Sequence, residues 1–394
     1  MGYAHDFLAL FLRWAHVVAG ISWIGSSFYF MWLDASLKRR AGMPDGVKGD
    51  NWSVHGGGFY HTQKYMVAPE AMPDDLHWFK WESYATWLTG FALLSVVYWA
   101  NAELYLVAPG GRVEPGVAIF WSVFGIVAGW VVYDLLCRSP LARAPMVLFG
   151  LLFVLITFTA YLYGHVFSGR AAFLQTGAMI ATVMTGNVFF VIIPNQRVVV
   201  ADLKAGRTPD PKYGVIAKLR STHNNYLTLP VLFLMLSNHY PMTFGSPHAW
   251  VIVAIALCLG AIVRHWFNTY ETGAKGVAVA WQWPLALALA VAMTAYAGLA
   301  SAPSVPVASA GRTVADTEAF AIVAERCAPC HAAAPTFAAF NAAPGGVFLD
   351  TPERMATNAD AIVAQAVTTH TMPLGNITGM TEAERATLAA WAAK

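Results

Sequence analysis

Long apolar runs separated by shorter polar stretches fill the first 300 residues of the chain. Eight of these runs could cross a hydrocarbon core of about 30 Å, which takes roughly 20 helical residues. They lie near 7–33, 79–100, 116–136, 145–165, 172–194, 225–243, 249–267 and 278–300. A soluble protein with so many apolar runs would have too few polar residues to cover them. The pattern predicts an all-α, polytopic bundle of eight transmembrane helices.

Composition and aromatic placement agree with a membrane protein. Hydrophobic residues make up 57% of the chain and charged residues 12%, against about a quarter charged in soluble proteins. Tryptophan and tyrosine recur at the ends of the apolar runs, as in the aromatic belts at membrane surfaces. The formal net charge of +2 is too small to suggest nucleic-acid binding.

Basic residues between the runs predict the orientation. The connections after runs one, three, five and seven hold almost all of the lysines and arginines, whereas those after runs two, four and six hold only Arg112 and Arg170. By the positive-inside rule, the first set is cytoplasmic and both termini are periplasmic. The first run is followed by Lys38, Arg39 and Arg40 without a cleavage site, so we expect it to stay as a helix of a bacterial inner-membrane protein.

After the eighth run, the composition changes. A Pro/Ser/Ala tether, 301–311, precedes a small domain at 312–394. We expect this domain to begin with a helix at 315–326 and to end with one at 382–393, for which Thr381 is the N-cap.

The small domain contains CAPCH, residues 327–331. Cys327 and Cys330 have the spacing of the thioether attachment site of a c-type haem, with His331 as an iron ligand. The alternative is a zinc site or a redox pair, but zinc would need further cysteines or histidines nearby. For the sixth iron ligand we favour Met372 over Met380 and His370, because Met/His ligation suits electron transfer. This predicts a periplasmic class I-like cytochrome c domain.

Histidines within membrane helices indicate function by default, because they are costly there. They sort by predicted depth into an outer tier of His16, His165 and His239 and an inner tier of His77, His223 and His265. Each tier could ligate a b-type haem, giving one or two haems b in the bundle. Most of these histidines could instead be interfacial. For His16, which lies among small residues, we favour a ligand.

The longest polar segment on the predicted inner side runs from residue 34 to 77 and contains VHGGGFYHTQK, followed by LHWFKWESY. The glycine triplet would let the backbone approach a planar ligand closely. Nearby His, Lys, Glu and Tyr side chains could shuttle protons. The alternative is an ordered loop that caps helix ends.

With these motifs, the chain resembles the bacterial membrane-bound urate hydroxylases, also described as cytochrome c urate oxidases. The resemblance rests on HGGGFY, LHWFKWE, NVFFVIIPNQ and HNNYLTLPVLF, together with the haem motif. It implies that urate is oxidised to 5-hydroxyisourate in purine degradation, with electrons leaving through the haem domain instead of reducing oxygen to hydrogen peroxide. Soluble cytochrome c or a terminal oxidase would accept these electrons.

For such a reaction, the inner loop supplies candidate catalytic residues. We expect His55 or His61 to act as general base and Lys64 or Lys80 to counter the charge of urate, with Glu82 nearby. Because the c-type haem is predicted outside, electrons from an inner site would need membrane haems as stepping stones. Otherwise, urate would bind outside, near Arg170 and His165.

Three other functions are alternatives to urate oxidation. A membrane-anchored cytochrome c could relay electrons from quinol or a partner subunit. A haem–copper terminal oxidase would need paired histidines at closer spacing than any helix provides. A transporter would leave the fused redox domain unexplained.

Overall fold

The computed structural model describes residues 3–66, 73–108, 113–246, 248–300 and 314–393. It is mostly helical, at 72%. The predicted tether at 301–311 and Arg112 lie outside the described residues.

Eight long helices make up the N-terminal region. Their bounds are α1 Tyr3–Ser36, α2 Trp81–Leu94, α3 Pro115–Arg138, α4 Pro145–Val166, α5 Gly169–Lys204, α6 Pro211–Leu236, α7 Trp250–Glu271 and α8 Val277–Ala300. Among the described residues, six of them are long and apolar enough to cross a membrane: α1, α3, α4, α5, α7 and α8. The predicted membrane character of these six runs is therefore supported by their length and composition.

The other two predicted runs are also helical, but with different bounds. Helix α2 has 14 residues and continues into a π-helical turn, Ser95–Trp99. Helix α6 begins at Pro211, well before the predicted run at 225, because Asp210 caps it by accepting a hydrogen bond from the backbone N–H of Lys212. The polar first half of α6 has no apolar pattern that would mark it as part of the run.

The centre of the bundle lies where α4, α5, α6 and α7 meet. Its buried side chains come from all four helices and include Ile156, Ile180, Leu234, Ile252 and Val253. Pro230 lies inside α6 and packs directly against Gly260 of α7. A Cβ atom at position 260 would lie 2.6 Å from the Cδ atom of Pro230, so only glycine allows this approach.

The polar segment after α1 forms a β-hairpin, which corrects the all-α prediction. Strands β1, Val47–His55, and β2, Gly58–Tyr65, pair antiparallel. Gly56 and Gly57 have φ values of 59° and 79° and form the two-residue loop. Such hairpin turns require positive φ at both central residues, which glycine adopts at no steric cost. Most of the glycine triplet thus serves the turn, whereas the sequence suggested an approach to a ligand.

The C-terminal region forms a small helical unit. Its helices are α9 Asp316–Arg326, α10 Pro352–Thr357, α11 Ala359–Ile362 and α12 Glu382–Ala392. Thr381 and Glu384 form a reciprocal capping box at the start of α12. The predicted first and last helices and the predicted N-cap are therefore confirmed. A buried apolar cluster that includes Val323, Met355, Leu388 and Trp391 holds the unit together.

This unit lies against one end of the helical bundle. The turn Leu374–Asn376 contacts a one-turn helix, Ala102–Tyr105. Thr369 lies against Gly245, where an added Cβ atom would be 2.6 Å from the Cβ atom of Thr369. The bundle and the C-terminal unit therefore meet through close backbone contacts.

Candidate functional site

The CAPCH segment follows α9 and lines a crevice of the C-terminal unit. Hydrogen bonds from the backbone N–H groups of Cys330 and His331 to the carbonyl of Cys327 form a tight turn, with distances of 3.1 and 2.9 Å. The Nδ1 atom of His331 lies 3.0 Å from the carbonyl oxygen of Val347. This contact orients the ring and leaves Nε2 for a metal ion, as is usual for haem ligands. Both cysteines are free thiols and line the cavity with His331.

The three candidates for a sixth iron ligand differ in position. Met372 lines the same cavity as His331. Its backbone carbonyl accepts a hydrogen bond from Arg385, and its N–H donates to Gln365. Met380 is buried in the apolar cluster of the unit, and the half-exposed side chain of His370 lies near Glu382. Among these candidates, the geometry favours Met372.

A cavity of about 840 Å³ joins this crevice to the interior of the bundle. From the C-terminal unit its walls include Cys330, His331, Phe337, Leu349 and Met372. From the bundle they include Arg13, His16, Trp23, Trp87, Gly90, Tyr98, Arg170 and His239. The walls are mainly apolar and include three arginines, Arg13, Arg170 and Arg326, so the cavity suits flat apolar groups that carry acidic edges.

His16 of α1 reaches this cavity from within the membrane region. Its Nδ1 atom lies 2.9 Å from the carbonyl oxygen of Thr86 and 3.3 Å from Oγ1 of Thr89, both on α2. The ring rests against Gly90, where an added Cβ atom would lie 2.7 Å from its Cε1 atom. Because one ring nitrogen is bound to a carbonyl, the other is available as a ligand.

A family model described as urate oxidase N-terminal matches residues 2–297. The chain belongs to the urate oxidase N-terminal family. No curated protein and no solved structure matches the chain. The family match covers the helical bundle except the last three residues of α8 and ends before the C-terminal unit. It supports a urate-related oxidoreductase function for the region that holds His16.

In this urate oxidase family member, the outer histidines do not all converge. His239 lines the cavity. His165 does not, and its Nδ1 atom lies 2.9 Å from the carbonyl oxygen of Tyr161, one helical turn earlier in α4. Arg170 lines the cavity without His165, so the structure does not bring together the two residues of the predicted outer urate site.

The three inner histidines each contact different residues and do not share one site. His77 is exposed beside Phe79. His223 is buried, with its Nδ1 atom 2.9 Å from the hydroxyl of Tyr133. The Nδ1 atom of His265 lies 2.8 Å from the hydroxyl of Tyr226. None of the three lines the large cavity.

The five candidate residues of the inner loop are also dispersed. The Nε2 atom of His61 lies 2.8 Å from Oδ2 of Asp50, on the opposite strand, and its ring stacks on Trp52 at 4.2 Å. This hydrogen bond, together with Arg40, lowers the pKa of Asp50. His55 lies at the turn, on the opposite face of the hairpin from His61.

The charged candidate residues near the hairpin differ in their contacts, and one of them forms an ion pair. Lys64 forms an ion pair of 2.5 Å with Asp34, at the end of α1. Lys80 lies over the ring of Trp81, and Glu82 is half-buried in the first turn of α2. None of the five candidate residues lines the large cavity: His55, His61, Lys64, Lys80 and Glu82 all lie outside it. The hairpin therefore has the contacts of an ordered cap on the helix ends, the alternative that the sequence left open.

Sequence reasoning missed a set of buried polar residues between α6, α7 and α8. Arg264 lies within α7 and is only 2% exposed. Asn225, Asn268 and Gln282 lie on the three helices around it. The signal available in the sequence was an arginine within an apolar run, which is rare without a functional reason.

Across the described parts of the chain, no group of three or more His, Cys, Asp or Glu side chains could hold a metal ion.

Proposed function

We propose that this chain is a membrane-bound urate hydroxylase that converts urate to 5-hydroxyisourate. Its electrons would pass to the covalent haem of its own C-terminal cytochrome c domain and on to the respiratory chain, instead of reducing oxygen to hydrogen peroxide. The observation that carries this proposal is the cavity, because it joins His16 in the family-matched bundle to the CAPCH crevice. The substrate is supported by family membership.

Oxidation of urate requires an electron acceptor, and a haem held in the CAPCH crevice could serve as one. Water supplies an oxygen atom that bonds to C5 of urate, and two electrons and two protons leave. A bound haem supplies one-electron transfer, so two transfers complete each turnover. Soluble cytochrome c or a terminal oxidase would then remove the electrons from the periplasmic domain.

Residues of the crevice fit a c-type haem. Cys327 and Cys330 would form the thioether bonds, and His331 and Met372 would ligate the iron. The hydrogen-bonded Nδ1 atom of His331 fixes the ring, and Arg385 holds the backbone of Met372. Both residues line one mainly apolar cavity, and a Met/His pair of ligands would favour electron transfer over oxygen chemistry.

The bundle half of the cavity fits a b-type haem, and His16 is the best placed of the six candidate histidines. Its ring is oriented by Thr86 and seated against Gly90. Arg13 and Arg170 line the same cavity and could pair with the carboxylates of a haem. A pyridine haemochrome assay on the purified chain should show b-type haem in addition to c-type. In the variant His16→Ala, we expect only the c-type signal.

The membrane arrangement of the proposal has eight spanning helices in the bacterial inner membrane. It adds α2 and α6 to the six long apolar helices, because α2 packs along α1, and α6 packs between α5 and α7. The positive-inside pattern places the hairpin in the cytoplasm and the cytochrome domain in the periplasm.

The experiment that tests this function uses the purified chain in detergent, with ferricytochrome c as the electron acceptor. We expect urate-dependent reduction of two cytochromes for each urate consumed, with no hydrogen peroxide. Formation of peroxide with uptake of oxygen would contradict the proposed acceptor. Reduction by quinol without any response to urate would instead favour a membrane-anchored electron relay.

A further inference from the structure

Arg264 is a buried charge, and two of its three guanidinium nitrogens have no hydrogen-bond partner among the described residues. It lies in α7, about two turns before the helix ends at Glu271, and it is 2% exposed. Within the part of the chain that the structure describes, its Nε and Nη2 atoms have no hydrogen-bond partner. A buried cation is costly unless it is paired, so this arginine requires an explanation.

One face of the guanidinium group is covered by an aromatic ring. The central carbon of Arg264 lies 4.0 Å from the ring centre of Phe28 in α1, a distance typical of cation–π contact. Such a contact stabilises the positive charge of Arg264 but occupies only the flat face of its guanidinium group. The N–H groups at the edge point sideways, where they could donate to a planar anion in the two-bond geometry that guanidinium favours.

Other polar groups in the same region also lack partners. Among the described residues, Nδ2 of Asn225, Oδ1 of Asn268, Oε2 of Glu271 and Oε1 of Gln282 are buried without a hydrogen bond. Nδ2 of Asn268 donates to Oδ1 of Asn225 at 2.9 Å, which ties α7 to α6. Arg264, Asn268 and Glu271 are four and three residues apart and therefore share one face of α7.

Arg220 shows how the same bundle satisfies an arginine whose role is structural. It is also 2% exposed. Its Nη2 atom lies 2.6 Å from Oδ1 of Asp134, and its Nη1 atom donates to Oδ1 of Asn187 at 3.3 Å. Nε has no hydrogen-bond partner among the described residues in either arginine, but Nη2 is paired with a carboxylate in Arg220 and lacks a partner in Arg264. A ligand at the edge of Arg264 would explain this difference.

We propose that Arg264, Asn225, Asn268 and Gln282 form a binding site for a small planar anion. Resting on the proposed function, we take this anion to be urate. Arg264 and Asn225 would donate to its carbonyl oxygens and deprotonated nitrogen, and the free oxygens of Asn268 and Gln282 would accept from its N–H groups. The site lies in the inner half of the bundle, on the side predicted to face the cytoplasm.

A tyrosine–histidine pair lies next to this site. The hydroxyl of Tyr226 and the Nδ1 atom of His265 are 2.8 Å apart, and each residue is adjacent in sequence to a proposed ligand-binding residue. This pair could accept a proton released during oxidation of a bound purine. Phe28 lies 12 residues after His16 in α1, about 18 Å along the helix, so α1 links the proposed site to the cavity.

The test measures urate binding to the dithionite-reduced full chain, which cannot turn urate over. Equilibrium dialysis with radiolabelled urate should show saturable binding to the native protein. We expect Arg264→Gln to weaken this binding about tenfold or more, since hydrogen bonds to charged groups are lost, and Arg264→Lys to restore part of it. Arg220→Gln is the matched control and should leave the affinity unchanged.

The outcomes separate this site from the proposed function. If Arg264→Gln binds and oxidises urate as the native protein does, the site is wrong and the function stands. If the native protein binds urate through Arg264 but never reduces its haem, the function is wrong and the site stands. Should Arg264→Gln fail to fold, Asn225→Ala provides the same test with a smaller change, and unaltered affinity in that variant would overturn the proposal.

Discussion

At the scale of single residues, the position of the His16 ring in the cavity depends on the absence of a side chain at Gly90. An added Cβ atom at position 90 would lie 2.7 Å from Cε1 of His16, closer than van der Waals contact permits. Gly90→Ala should therefore push the imidazole out of the cavity. We expect this variant to lose b-type haem while it retains c-type haem, as measured by the pyridine haemochrome spectrum.

The control for this prediction is Gly20→Ala, also in a membrane helix. Position 20 has open space around it, with no atom within 4 Å of an added Cβ. This variant should keep both haem types. Full b-type haem in Gly90→Ala would contradict the role assigned to His16.

Individual residues also show what the sequence could and could not indicate. His16 was predicted as a ligand candidate because it interrupts an apolar run, and the structure places it in the large cavity. Its partners on α2 could not be predicted, since they depend on how two helices pack. Arg264 was overlooked for the same reason. A basic residue near a helix end suggests a loop, and only the packing of α6, α7 and α8 shows that it is buried.

At the scale of elements, the β-hairpin is stabilised by the carboxylate of Asp50. Its side chain is buried between the strands and lies 2.8 Å from both Arg40 and His61. His61, with Arg40, lowers the pKa of Asp50 in the folded hairpin. The ionised carboxylate thus stabilises the hairpin above the ordinary carboxyl pKa of about 3.9, and this contribution is lost as the pH falls through the lowered value.

Limited proteolysis of the hairpin at different pH values checks this prediction. At neutral pH, Asp50→Asn should be cleaved faster than the native chain, because the charge that pairs with Arg40 is gone. As the pH falls through the lowered pKa of Asp50 the two should become alike, since the native carboxylate is then protonated. Equal cleavage rates at neutral pH would show that the ion pairs do not hold the hairpin.

The contact between α6 and α7 depends on a proline packed against a glycine. Gly260→Ala would place a Cβ atom 2.6 Å from the ring of Pro230, and both backbones would have to move apart. Overpacking of this kind costs about 1–3 kcal/mol. We expect a lower melting temperature in detergent for this variant. Gly25→Ala, which meets no atom within 4 Å, should melt like the native protein.

Secondary structure was predicted correctly where a segment of the sequence carries one clear pattern. Long apolar runs identified the membrane helices, and an N-cap followed by acidic residues identified α12. The hairpin was missed because polar residues occupy both faces of its strands, so β1 and β2 lack the alternation that marks a half-buried strand. The first half of α6 was missed because its helix rests on a cap and on packing, without an apolar stripe.

At the scale of the whole molecule, the proposed electron transfer would depend on contact between the C-terminal unit and the bundle. Gly245→Val would force Thr369 away from the bundle, because the space for a side chain at position 245 is filled. We expect this variant to keep the normal spectrum of its c-type haem but to reduce that haem more slowly with urate, as measured by stopped-flow absorbance.

Gly298→Val serves as the control, since position 298 lies near the end of α8 with no atom within 4 Å of an added Cβ. It should reduce at the native rate. An unchanged rate in Gly245→Val would show that the unit transfers electrons without this contact. The sequence left open whether the domain docks or swings, because a tether permits both and docking depends on matching surfaces.

In the proposed function, electrons from urate reach the haem of the same chain. Anaerobic addition of urate to the oxidised, purified protein tests it most directly, with the reduced c-type haem followed by its absorbance. We predict reduction without any other donor, with half an equivalent of urate sufficient for each haem that accepts one electron. A haem that stays oxidised in excess urate, yet is reduced by dithionite, would contradict the account.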